Sequence, residues 1–112
     1  MRPDIKQEWI TRLRSGIRQT THVLATGDAR CAMGVLCDIA VEHKVIQARP
    51  VFEEDGVHVL HIVYGDDGYT VSAPSDVLEW ARLTPNEARY IEDLNDRGCT
   101  FDEIATYIEK YL

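Results

Sequence analysis

The stretch CAMGVLCDIAV, residues 31–41, is apolar at every position but one, and the exception is Asp38. The run is too short to cross a bilayer, which takes roughly 20 apolar residues in helical form. It is long enough for three helical turns, and a helix that is apolar nearly all round has to lie inside the fold. It therefore reads as the buried central helix of one domain, over about residues 30–43 with Asp28 as its N-cap. A carboxylate within such a helix must be paired with a cation, protonated, or set on the floor of a ligand pocket, because an unpaired buried ion costs several kcal/mol.

The flanks supply the surfaces that would cover this helix. Upstream, Ile5, Trp9, Ile10 and Leu13 recur at helical spacing, Glu8 and Arg12 pair at i,i+4, and Ser15-Gly16 ends the pattern. Residues 17–25 are rich in β-branched types and read as extended, with Thr26-Gly27-Asp28 as a turn. Downstream, strand-like runs at 45–52, 57–64 and 69–73 are separated by Glu53-Glu-Asp-Gly56 and Gly65-Asp-Asp-Gly68, which predicts an antiparallel meander. Pro50 lacks a ladder donor and marks the first run as an edge strand. After Pro74 the pattern is helical. Thr84-Pro-Asn-Glu87 and Thr100-Phe-Asp-Glu103 are capping boxes, Gly98 closes the helix between them, and Phe101, Ile104, Ala105, Ile108 and Leu112 form one inward stripe. The expected fold is α+β: a single small domain, residues 1–112, with the central buried helix and the C-terminal helices packed on a short antiparallel β-meander.

Composition narrows the function classes. The net charge of −7 is uneven, with six Lys/Arg against three Asp/Glu in residues 1–30 and an acidic balance beyond. Bulk acidity works against nonspecific nucleic-acid binding, which needs cations to neutralise phosphates. No apolar block opens the chain at MRPDIKQEWI and three cysteines cannot all pair within it, so a reducing cytoplasm and no membrane partner are expected. The segment LNDRGCTFDEIATYI has the rhythm of the first two helices of a helix-turn-helix, but it is acidic and no recognition helix follows, so DNA binding is only a lesser alternative.

Other chemistry finds little footing. Cys31, Cys37, Cys99, His22, His43, His58 and His61 lack metal-ligand spacing, and no metal or other cofactor is expected. Cys37 beside Asp38 should have a raised thiol pKa, the opposite of nucleophile activation. No catalytic set stands out. The remaining constellation is basic: Arg14, Arg18 and Arg30 could hold a phosphate, while Gln19, Asp38, Asn95 and Asp96 could read a ribose or base. The competing structural reading has Arg14 or Arg18 neutralising Asp38, with Gln19, Asn95 and Asp96 completing an internal polar network.

The spaced set Trp9, Leu13-Arg-Ser-Gly16, Gln19, Cys31-Ala-Met-Gly-Val-Leu-Cys-Asp38, Val77 to Trp80, Leu94-Asn-Asp-Arg-Gly98, Phe101 and Ile104-Ala105 resembles a family of small bacteriophage and prophage proteins. Small phage proteins of this size are often counter-defence factors. With the arginine cluster, the resemblance implies a non-enzymatic homo-oligomer that binds and sequesters a nucleotide-derived immune signal in the host cytoplasm. The alternative is an acidic inhibitor that uses Glu53-Glu-Asp55, Asp66-Asp67 and Glu92-Asp93 to cover a basic surface of a host protein, with nucleic-acid mimicry as one way of doing so.

Overall fold

Helix α2 (Ala32–Glu42) stands at the centre of the computed structural model, which describes residues 1–112, and eight of its eleven residues are buried. Around it, in chain order, run α1 (Pro3–Leu13), β1 (Ala25–Thr26), β2 (Ala29–Arg30), then after α2 the strands β3 (Ala48–Phe52) and β4 (Val59–Tyr64), followed by α3 (Ser75–Ala81), α4 (Pro85–Asp96) and α5 (Phe101–Tyr111). α1, α3 and α4 pack on α2, and α5 packs on α1 and α4, so the fold is α+β with a largely helical core. The stripes of α1 and α5 are buried as their spacing predicts, apart from Leu112, which is half-buried at the C-cap of α5. Trp9, wholly buried, donates its indole N–H to the Ala32 carbonyl at 2.9 Å and ties α1 to the first turn of α2.

That first turn differs from the expectation in its cap. Asp28 instead occupies the two-residue turn of the β1–β2 hairpin, where Gly27 supplies the positive φ, and the N-cap is Cys31, whose Sγ accepts from the Gly34 N–H at 3.3 Å. The chain enters α2 directly from β2, with no room for a longer lead-in. Gly34 permits the close approach this requires, because a Cβ there would lie 2.0 Å from the Leu24 carbonyl oxygen.

The expected meander is a two-stranded hairpin with one added bridge. β3 and β4 pair antiparallel from Ala48↔Tyr64 through Pro50↔Ile62 to Phe52↔Val59, with a bulge between Val51 and Phe52. The third run, 69–73, contributes only the Tyr64–Tyr69 bridge. Beyond it the chain turns to another partner, Leu24, whose N–H donates to the Thr70 carbonyl at 2.7 Å. α4 and α5 both begin with the capping boxes read from the sequence. No helix is long and apolar enough to cross a membrane.

Candidate functional site

Asp38 lies on the one side of α2 that is not closed over, and its side chain is 32% exposed rather than sealed from water. Its cation is Arg30, neither Arg14 nor Arg18. Arg30 Nε donates to Oδ2 at 2.7 Å, and the Tyr64 hydroxyl at the end of β4 donates to Oδ1 at 2.6 Å. The same guanidinium donates through Nη1 to the Gly27 and Ala29 carbonyls, so it also locks the β1–β2 turn. Burial, and then the Asp38 charge, pushes the Tyr64 hydroxyl well above its ordinary range and keeps it a donor. The arrangement satisfies both carboxylate oxygens from within and joins α2, β2 and β4 at one point.

Gln19, Asn95 and Asp96 form a second, separate network. Asn95 is the one fully buried polar residue of the core. Its Oδ1 accepts from the Gln19 amide at 2.9 Å and from the Ala32 backbone N–H at 3.1 Å, while its Nδ2 donates to the Thr20 carbonyl at 2.9 Å. Gln19 also donates to the Cys99 carbonyl at 2.8 Å. Asp96 accepts at 2.8 Å from the backbone N–H of His22, a residue held at a φ of 68°. Asn95 thus completes the cap of α2 from a different helix, which compensates for the weak acceptor at Cys31.

The other arginines stand elsewhere. Arg14 clamps α1 to α5, donating to Asp102 at 3.1 Å, Glu109 at 3.3 Å and Thr106 at 3.0 Å. Arg18 is mostly exposed and lies 3.7 Å from Asp28. The seven candidates therefore fall into separate groups, and of them only Asp96 borders a recess, a small one of about 30 Å³. Burial pushes the Cys31 thiol up to about 11 and the Cys37 thiol far up as well, so neither is an activated nucleophile.

Two features lie outside that candidate set. A cleft of about 360 Å³ opens between the α2–β3 connection, the turn after β4 and the start of α3, lined in part by Lys44, Gln47, Asp66, Asp67, Tyr69 and Asp76. The second is the β3–β4 hairpin, whose outer half leaves Phe52, Val57 and Leu60 at 49%, 73% and 49% exposure. Glu53, Glu54 and Asp55 cross its tip, where Asp55 closes the turn by accepting from the Val57 and His58 N–H groups at 2.8 and 3.0 Å. Carboxylates of Glu53 and Asp55 and the His58 ring lie within 4.8 Å of one another there, a trio that a search for His and Cys spacing overlooks.

The chain belongs to the family described as Domain of unknown function (DUF8296). The family model matches residues 1–112, so helix, hairpin and both polar networks are all within it. No curated protein and no solved structure matches the chain. Arg30 was among the residues read from the sequence but not as the partner of Asp38, although that pairing had a readable signal: Asp38 sits seven positions after the N-cap, two turns on, and so faces the side from which the chain enters α2. Tyr64 had none, because its meeting with Asp38 depends on where the hairpin docks.

Proposed function

We propose that this domain is a non-enzymatic binding protein that docks on a basic surface of a partner protein through the outer half of the β3–β4 hairpin. The observation that carries this reading is the set of open apolar side chains, Phe52, Val57 and Leu60, beside the acidic tip Glu53, Glu54 and Asp55. An isolated two-stranded hairpin gains little by exposing large apolar groups, whereas an apolar centre with a charged rim is the anatomy of a recognition surface. For a phage-type chain, the partner would be a host factor and the compartment the host cytoplasm, with the acidic rim steering encounter.

Sequestration of a nucleotide-derived signal has less behind it. Six of the seven residues assigned to it have side chains engaged in hydrogen bonds within the chain, and Arg18 makes only an exposed ion pair with Asp28 at 3.7 Å. A nucleotide pocket built from these seven residues would have to form between protomers.

The test is affinity capture from host lysate with three proteins: the unaltered chain, Phe52→Ser with Leu60→Ser, and Glu53→Lys with Glu54→Lys. A partner held by the first and lost by both variants, with capture weakening steeply between low and high salt, supports the reading. Capture that survives both variants refutes it. Native mass spectrometry with cyclic dinucleotides and ADP-ribose isomers checks the other reading, and a nucleotide retained at fixed stoichiometry would restore it.

A further inference from the structure

Away from the hairpin, α4 and α5 carry three tyrosine rings in an unbroken strip. Tyr90 and Tyr107 have ring centres 5.0 Å apart and Tyr107 and Tyr111 4.8 Å apart, with tilted planes. Tyr90 and Tyr111 are 45% and 61% exposed. Core packing does not require such exposure, and the rings present an electron-rich surface to solvent.

The surroundings select the charge of what could cover it. Glu87 lies one turn before Tyr90 and Glu103 one turn before Tyr107, so each shares a helix face with a ring. Both carboxylates are held by capping boxes, each accepting a backbone N–H at 2.9 Å, and neither is paired with a cation. Tyr107 is raised above its ordinary pKa by desolvation, then by the two neighbouring phenols and Glu87, which puts that carboxylate within electrostatic reach of the strip. Asp93, also one turn from Tyr90, is neutralised by Arg97 at 2.8 Å. One cation already uses the strip: Lys110 Nζ lies 5.2 Å from the centre of the Tyr111 ring.

We propose that the Tyr90–Tyr107–Tyr111 strip, with Glu87 and Glu103, is a docking site for an arginine- or lysine-bearing segment of a partner protein. Each guanidinium or ammonium would rest on a ring face with a carboxylate alongside, and the planar guanidinium suits the strip better because it can stack as well as pair. The proposal goes beyond the hairpin reading and does not depend on it.

The test titrates the full chain, ¹³C-labelled in its aromatic rings, with a hexa-arginine peptide and follows the tyrosine signals by NMR. The expected result is that Tyr90, Tyr107 and Tyr111 shift more than Tyr64 and Tyr69, and that the apparent Kd rises about tenfold in the Tyr90→Leu, Tyr107→Leu double variant. Leucine keeps apolar area and net charge, so this loss reads the aromatic rings with their hydroxyls and not apolar burial or charge. Glu87→Gln with Glu103→Gln keeps the capping acceptors and should weaken binding about threefold. If the double leucine variant loses helical circular dichroism, Tyr111→Leu replaces it, with a threefold loss expected from its one ring. Rings that do not move, or a Kd unchanged on removing the rings, would reduce the effect to general attraction by an acidic chain and overturn the proposal. An uncharged aromatic peptide binding more tightly than hexa-arginine would overturn it as well. The Phe52→Ser, Leu60→Ser variant, which keeps the net charge, should titrate like the unaltered chain, so the two readings fail separately.

Discussion

Asn95→Leu should cost far more stability than any change at the exposed arginines. Leucine matches the branching of asparagine but is bulkier, so at this fully buried site overpacking adds to the lost hydrogen bonds. The Ala32 N–H, in a residue with no solvent exposure, would lose its acceptor at 3.1 Å. An unsatisfied buried donor costs about 1–3 kcal/mol. The Thr20 carbonyl, half-buried, can turn to water and adds less, and Gln19 retains the Cys99 carbonyl. The hydrogen-bond loss alone is about 2–3 kcal/mol, which for a chain of this length is a drop in Tm of about 8–12 °C, and overpacking adds to it. Gln19→Met is the control. It leaves Asn95 bonded to Ala32 and should cost about 1 kcal/mol or less. Urea unfolding followed by tryptophan fluorescence gives both numbers, provided the denaturant slope is unchanged. An Asn95→Leu loss below about 1 kcal/mol would refute the claim that α4 caps α2.

Three further outcomes follow from the geometry. Gly34→Ala should destabilise by about 3 kcal/mol or more, since its Cβ would meet the Leu24 carbonyl oxygen at 2.0 Å and backbone cannot move aside as a side chain can; calorimetry reads it. Cys99, partly exposed, should be the one thiol that reacts readily with a disulfide reagent at neutral pH, with Cys31 and Cys37 reacting only in denaturant; fast reaction of two or more in the native protein would refute their burial. Glu92 is raised above the ordinary carboxylate range by burial, then by Asp96. Because the folded state holds this proton more tightly than the unfolded one, stability from it is present at low pH and lost as pH rises through the raised value. Glu92→Gln should therefore be more stable than the unaltered chain at neutral pH and converge with it at about pH 4, as melting curves across pH would record.

The order of the helices and their inward faces were legible in the sequence because each depends on neighbours within a turn or two. The stripes of α1 and α5, both capping boxes and the buried run of α2 are local patterns, and local patterns leave little choice. Gln19, Asn95 and Asp96 could be grouped as one polar network from the sequence, and the structure joins them. What required the tertiary structure was any pairing across elements. Cys31 replaces Asp28 as the cap because the β1–β2 hairpin leads straight into α2, and Asn95 completes the cap from 63 residues away. Residues 69–73 look like a strand, yet the chain leaves β4 after a single bridge because Leu24 takes the next carbonyl. Arg30 rather than Arg14 meets Asp38 because docking α1 on α5 commits Arg14 to Asp102 and Glu109. Periodicity specifies which face of an element is buried, while the identity of the group opposite is set only when the elements pack.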